Sequence, residues 1–274
     1  MMAERPITEV VNQEVAAQVS QCVNAEILAE LDAERRALGE PAGRGGVVRE
    51  LAAEGSECRI VFSRLCAEDA DDVIGQEMAL ARERGGTLEW KLYGHDAPAD
   101  LDRRLLTAGF AADDLEQVLV RAVNETTLAP SGAPGCVVRR VQDEAGLADY
   151  AEIAREIGRK NSAEEKLQLA AVLLAAPDTM SVHIAYVDGE PVSCGRIYFR
   201  EGGAHAELAG GRTKTAYRNR GLFGAVVAAR LAEAHERGRA LVFTDALPTS
   251  EPILRKRGFQ VVTSTQPFLY EPVA

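Results

Sequence analysis

The sequence predicts a mixed α/β protein: a central twisted sheet of mixed strand direction, flanked by helices and built in two copies. Three observations predict it. Strand-like segments alternate with helical ones along the whole 274-residue chain. Two hairpin signals, Asp188-Gly189 and Glu201-Gly-Gly203, join three consecutive strands into an antiparallel meander, because such turns need positive φ. Two short signatures recur in the same order in both halves: Glu83-Arg-Gly85 then Gly109-Phe110, and Glu236-Arg-Gly238 then Gly258-Phe259.

Taken in order, Glu9–Leu38 reads as one long helix or two, ended by Gly39. Val47–Ala53, Arg59–Leu65, Leu88–Tyr93 and Gln117–Ala122 read as strands, with helices over Asp69–Arg84 and Ala99–Ala108. Trp90 and Tyr93, on one of those strands, read as core. Asn124–Gly135, rich in Pro, Gly, Ser and Thr, reads as a linker between a first domain, residues 1–130, and a second, residues 136–274. Beyond it come strand Cys136–Val141 and helices near Asp143–Gly158 and Ala163–Ala175. The meander follows as Ser181–Val187, Val192–Phe199 and Ala204–Thr213. Helix Leu222–His235 is fixed by apolar residues at helical spacing (Leu222, Val226, Val227, Leu231). Strand Ala240–Asp245, helix Ser250–Arg257 and strand Val261–Leu269 close the chain.

Composition narrows the function. The net charge of −11 is uneven: residues 1–133 carry 13 Lys/Arg against 25 Asp/Glu, and residues 134–274 carry 18 against 17. Only the second half therefore suits a polyanionic ligand. No basic stripe interleaved with aromatics argues for nucleic acid. No apolar run reaches the length of a membrane span and no signal peptide is legible, so the expectation is a cytoplasmic protein without a membrane partner. Five scattered cysteines form no framework, and the four histidines have no metal-ligand spacing; no metal is expected.

The segment Thr213-Lys-Thr-Ala-Tyr-Arg-Asn-Arg-Gly-Leu-Phe-Gly224 links a strand to a helix with Lys214, Arg218 and Arg220 beside it. A helix N-terminus offers unpaired N–H groups and partial positive charge, so this is where a phosphate would be held.

With these features in place, about Val137 to Tyr270 resembles the GNAT N-acetyltransferase family. That family carries an Arg/Gln-x-x-Gly-x-Gly/Ala turn after its fourth strand, which binds the pyrophosphate of acetyl-CoA. Here the turn reads Arg218-Asn-Arg-Gly221-Leu-Phe223, with Phe223 in place of the second small residue. The preceding Tyr217 and the later Gly258-Phe259 also fit. The resemblance implies a GNAT fold and acetyl-CoA as co-substrate, with the amides of Asn219, Arg220, Gly221, Leu222, Phe223 and Gly224 on the pyrophosphate. It implies that the backbone of Gly211, Arg212 and Thr213 pairs with the pantetheine arm as an added strand; the pair Gly210-Gly211 suits this, since glycines in a strand mark a bulge or the close approach of another chain, and reads otherwise as relief of sheet crowding. Arg212, Lys214, Arg218 and Arg220 would attract the anionic cofactor; each reads equally as part of a solvated rim.

Glu207 stands eleven residues before Arg218, and the resemblance implies that it matches the general-base glutamate of histone-acetylating members of the family. Strand alternation places it on one face with Ala209 and Gly211. The duller reading is a strand-end carboxylate facing solvent. The family's usual tyrosine acid is replaced by Leu254. Ser250 is the nearest hydroxyl, better read as an N-cap, and Asp245 reads first as a turn carboxylate. His205 is a further acceptor-site candidate. The implied activity is direct acetyl transfer to an amine of a small molecule or peptide, the acyl carbonyl steadied by a strand amide such as that of Thr213. The competing readings are a non-catalytic acyl-CoA-binding protein, motivated by Phe223 and Leu254, and an interaction protein that binds no cofactor.

Sliding the repeats together sets Glu68, Asp69 and Asp71 opposite the Arg218–Gly224 turn. Carboxylates where phosphate should bind make the first half a degenerate GNAT-like copy, used for packing and for shaping an acceptor cleft.

Overall fold

A computed structural model describes residues 24–42, 46–51, 57–124, 133–200 and 203–272. The start of the expected Glu9–Leu38 helix, the end of Val47–Ala53, most of the linker and Glu201-Gly202 lie outside them. By its contacts the chain divides into two compact units, Met1–Gln117 with Val262–Ala274, and Val118–Val261.

The first unit contains helix α1 over residues 24–36. Then follow β1 (Glu40–Ala42), β2 (Val47–Leu51), β3 (Cys58–Ser63), α2 (Ala70–Arg84), β4 (Leu88–Tyr93), α3 (Leu101–Ala108) and β5 (Ala111–Ala112). Strand β6 (Glu116–Ala122) passes into the second unit. That unit continues with β7 (Cys136–Arg140), α4 (Glu144–Glu156), α5 (Ser162–Ala175), β8 (Met180–Val187), β9 (Glu190–Phe199) and β10 (His205–Thr213). A 3-10 turn, Thr215–Tyr217, leads into α6 (Leu222–Glu236), then β11 (Leu241–Ala246), α7 (Glu251–Arg255) and β12 (Gln260–Tyr270).

The expected strands and helices are present within a few residues of their predicted ends. The short strands β1 and β5 were not expected from the sequence: three and two residues are too few to show a period.

In the first unit the strands run β1-β2-β3-β4-β12, and in the second β6-β11-β10-β9-β8-β7. Among the described residues each unit contains a parallel pair, β3 with β4 and β10 with β11. A parallel pair needs a crossover, and each has a 15-residue helix there, α2 and α6. Each crossover is followed by a second helix and a Gly-Phe, whose Phe110 and Phe259 are both buried. The sequence repeat is thus a repeat of β-β-α-β-α units. The strand that completes each one comes from elsewhere in the chain: β12 pairs antiparallel with β4, and β6 lies beside β11.

The first core is built on Ile60, Ile74, Trp90, Leu105 and Phe268, so Trp90 is core as expected. On one face of the second sheet, α6 packs through Val227 and Leu231 with Leu119, Ile197 and Leu254. On the other, α4 and α5 bring Tyr150, Ile153 and Leu169 against Val182 and Cys194. Among the described residues no helix is long and apolar enough to cross a membrane.

Candidate functional site

The site is built where β10 parts from β11. Their parallel register runs from His205↔Leu241 to Leu208↔Thr244 and stops there. The Thr244 hydroxyl donates to the Leu208 carbonyl (3.0 Å), closing the last rung. Beyond it β10 continues to Thr213 beside β9 alone, where Ser193 Oγ donates to the Arg212 carbonyl (2.7 Å). The β11-facing edge of residues 209–213 therefore carries no β11 rung.

A β-bulge sits in this stretch. Ala209 faces Arg196 and Arg212 faces Cys194, so β10 holds one more residue than β9 between the two pairs. Gly210 adopts φ 59°, a left-handed conformation that a bulge uses and glycine takes without strain. The bulge corrects the expected alternation. Glu207 and Ala209 share a face as predicted, but Arg212 rather than Gly211 comes next in that row. Gly211 turns toward α6, where a Cβ would come within 2.5 Å of the Phe223 ring.

After β10 the chain is anchored before it reaches the helix. Lys214 is 2 % exposed and bonds Glu152 (2.6 Å), Glu156 (3.1 Å) and Glu190 (3.1 Å). Burial works against its charge, but these carboxylates outweigh burial and raise its pKa. The Tyr217 hydroxyl donates to the same Glu190 (2.6 Å). Then Asn219 (φ 60°) and Gly221 (φ 79°) turn the backbone through left-handed conformations into α6, whose N-terminus has no side-chain cap. Arg218 and Arg220 are exposed beside it, Arg220 stacked 5.0 Å from the Tyr217 ring. A cluster of N–H groups at a helix start, flanked by arginines, is chemically an anion site.

Two of the four cations expected to face the cofactor do not. Lys214 serves as the anchor just described. Arg212 forks onto Glu165 of α5 (2.6 and 2.9 Å), so only its backbone stays at the strand edge. Arg257, not singled out from the sequence, lies across the first turn of α6: a Cβ at Gly224 would collide with its guanidinium. Burial lowers the pKa of Arg257, and burial plus repulsion from Arg257 lowers that of Arg121 on β6.

Glu207 is exposed, opposite Tyr198 on β9 and Phe243 on β11, one residue before the last β10–β11 rung. His205 stacks edge-on to Phe243 at 5.5 Å, two places back on the same strand. Leu254 is 2 % exposed and part of the core, so that position has no proton to give. Ser250 does not cap α7 with its side chain; its hydroxyl donates to the Leu247 carbonyl (3.1 Å). Asp245, at the end of β11, is half-buried.

The matching region of the first unit is filled. The β3–β4 register stops at Ile60↔Trp90, the counterpart of the stop at Leu208↔Thr244. There Arg35 of α1 donates to the Val61 carbonyl (2.8 Å) and lies 3.8 Å from the Tyr93 ring. Its guanidinium also bonds Asp96 (2.8 and 2.9 Å) and Asp32 (2.8 Å). Asp32, His95 and Asp96 bring potential metal-ligand atoms within 4.8 Å of one another, but the guanidinium bonded to both carboxylates already supplies their counter-charge. Helix α2 starts at Asp69 with Asp71 and Asp72 in its first turn, which repels an anion.

No protein-family model and no curated protein matches the chain. Solved structures match its fold. A GCN5-related N-acetyltransferase from Kribbella flavida superposes with a TM-score of 0.67 at 16 % identity, covering 92 % of this chain and 96 % of that one. One from Sphaerobacter thermophilus gives 0.62 at 13 % identity, covering 85 % and 79 %. A tandem GNAT protein from the clavulanic acid biosynthesis pathway gives 0.58 at 15 % identity, covering 83 % and 79 %. The chain has the GNAT fold, in tandem halves.

Proposed function

We propose that this chain is an acyltransferase: an acetyl-CoA-dependent N-acetyltransferase whose second unit carries the acetyl group directly to an amine. The observation that carries this reading is the parting of β10 from β11 directly beside the uncapped, arginine-flanked start of α6. An extended pantetheine arm would pair with the backbone of Gly211, Arg212 and Thr213. The diphosphate would lie on the amides of Asn219 to Gly224, with Arg218 and Arg220 at its rim. Ion pairs at such a rim are worth ~0–1 kcal/mol each, so the amides supply most of the hold.

In the reaction the amine nitrogen forms a bond to the thioester carbon, the C–S bond breaks, and CoA leaves as its thiol. An alkylamine has a pKa near ~10 and is protonated at neutral pH, so a base must take one proton from it; in this reading that base is Glu207. With Leu254 in the core, the departing sulfur takes its proton from another group or from water, tolerable for a thiol of pKa ~8.5. The first unit binds no cofactor in this reading, because Arg35 fills its strand gap and carboxylates surround the start of α2.

Adding millimolar acetyl-CoA or CoA should raise the melting temperature, since a ligand at ~100 times its Kd stabilises by ~2.7 kcal/mol. An unmoved melting temperature would sink the reading. CoA release with a panel of amines tests chemistry: Glu207→Gln should lower kcat ~10²–10⁴-fold with cofactor binding kept. A specific observation favours the alternative of acyl-CoA binding without catalysis: the Phe223 ring lies against Gly211, beside the strand edge the pantetheine would use. Cofactor binding with no acetyl transfer to any amine would decide for it.

A further inference from the structure

We propose that two copies of this chain pair through the outer face of α5, antiparallel about a two-fold axis. The proposal is independent of the acetyltransfer reading and rests on a helix that is apolar on two sides. On its inner side Leu169, with Ala170 and Leu173, packs into the core of its own unit. A surface helix ordinarily turns charge outward, and one that is apolar all round is ordinarily covered. Yet the residues opposite that inner side are Ala163, Leu167, Ala171 and Leu174, all exposed. Leu167 is 70 % exposed and Leu174 87 %, the two most exposed large apolar side chains among the described residues. From Leu167 to Ala175 the helix carries no charge, and Gln168 is its one polar side chain.

What fits this face is the same face. Glu164, Leu167, Ala171 and Leu174 follow the alternating three- and four-residue spacing of a two-helix seam. Set antiparallel, with Leu167 against the second copy's Ala171, the two-fold returns that copy's Leu167 against Ala171, large on small in both places. The same register sets Leu174 beside the second copy's Ala163 and Glu164. It also brings Lys160, just before the helix, level with the second copy's Asp178, just after it; both positions are exposed. Lys160 and its exposed neighbour Arg159 thus meet opposite charge at each end of the seam, and the two helix dipoles run opposed.

A membrane surface is a poorer occupant. It draws helices with cations on their polar face, and α5 has no cation after Lys166, in a chain of net charge −11. The seam is short: 14 residues make a helix about 21 Å long. That falls below the size of a standard stable interface, so the dimer should be weak, with a Kd on the order of tens of micromolar. Protein at about 1 μM should then be monomeric.

The test is sedimentation velocity of the full-length protein from about 1 to about 300 μM. The mass should climb from monomer toward dimer and stop there, because a two-fold contact closes on itself. Leu174→Glu should weaken the dimer about tenfold or more, since it charges the seam in both copies. Lys160→Glu should weaken it about threefold, and adding Asp178→Lys to that variant should recover most of the loss by restoring opposite charges. A monomer at every concentration, growth past the dimer, or a dimer untouched by Leu174→Glu would each overturn the proposal. So would a loss in Lys160→Glu that the exchanged charge does not recover. Should Leu174→Glu fail to fold, as its urea midpoint would show, the charge exchange decides alone. Because no cofactor is added, the result is separate from that of the acetyl-CoA experiments.

Discussion

His183 is a buried titratable group with no part in the proposed chemistry, and it contributes to how the fold responds to acid. It lies on β8 opposite Gly195, with Nε2 3.4 Å from the Glu233 carboxylate and Nδ1 buried without a hydrogen-bond partner among the described residues. Burial pushes its pKa down to about 4, with Arg230, Arg140 and Arg237 adding to the effect and Glu233 opposing it. An unfolded histidine titrates near ~6.5, so between those values the unfolded chain binds the extra proton and folding is penalised. The contribution is whole above pH ~6.5, falls as pH drops toward 4, and levels off below. At pH 5 the loss is about 2 kcal/mol on this reckoning. Urea unfolding at pH 7.5 and pH 5.0 should show that much more acid loss in the native protein than in His183→Gln; equal losses would refute the assignment. Residue identity made such groups visible in the sequence but not their partners. Lys214 and Arg212 were legible as cations beside a turn, yet their glutamates lie far along the chain, on α4, α5 and β9. Charge near an anion site says little about which way a side chain faces until distant elements are placed.

Among elements, the junction of β10 with α6 carries a close-packing constraint. Phe223 replaces a small residue in the turn, and its ring occupies the space beside Gly211 that a Cβ would need. The two positions are therefore coupled. Gly211→Ala should displace the ring, shift the strand edge and weaken CoA binding about tenfold; Phe223→Ala in the same chain should restore most of it. A double-mutant cycle by calorimetry measures this, and additive effects of the two changes would show that ring and strand are independent. Local signals located the elements well. Asp188-Gly189 turns with φ 51° and 84°, as a hairpin of that sequence requires, Gly109 caps α3 before Phe110, and Gly258 turns the chain with positive φ before Phe259. Gly210-Gly211 signalled either a bulge or the close approach of another chain, and the structure has the bulge; its effect on the register was not legible, because it depends on the pairing with β9. One extra residue was enough to exchange Gly211 for Arg212 on the face that carries Glu207.

For the whole molecule, the consequential feature is the path of the chain through its two repeats. Matching Glu-Arg-Gly and Gly-Phe signatures made the duplication readable, but nothing in an alternating strand states which neighbour it pairs with. Contacts assign β12 to the first unit and Val118–Ala122 of β6 to the second, whereas a cut at the Pro/Gly-rich segment would divide the chain at 130 and 136. The two divisions make opposite claims about fragments. Residues 136–274 would lack β6, and with it Leu119 and Val123, both buried in the α6 core. Burying two such side chains is worth roughly 3–6 kcal/mol, before the lost pairing to β11 is counted. That is a large share of the ~5–15 kcal/mol that holds a domain together. The same fragment would keep β12 without its partner β4, an unpaired edge prone to association. Residues 118–261 should therefore unfold cooperatively in urea and remain monomeric, while 136–274 should show a lower midpoint or aggregate. The reverse order would mean that the second unit needs β12 more than β6, and that the contact boundary does not mark the unit that folds.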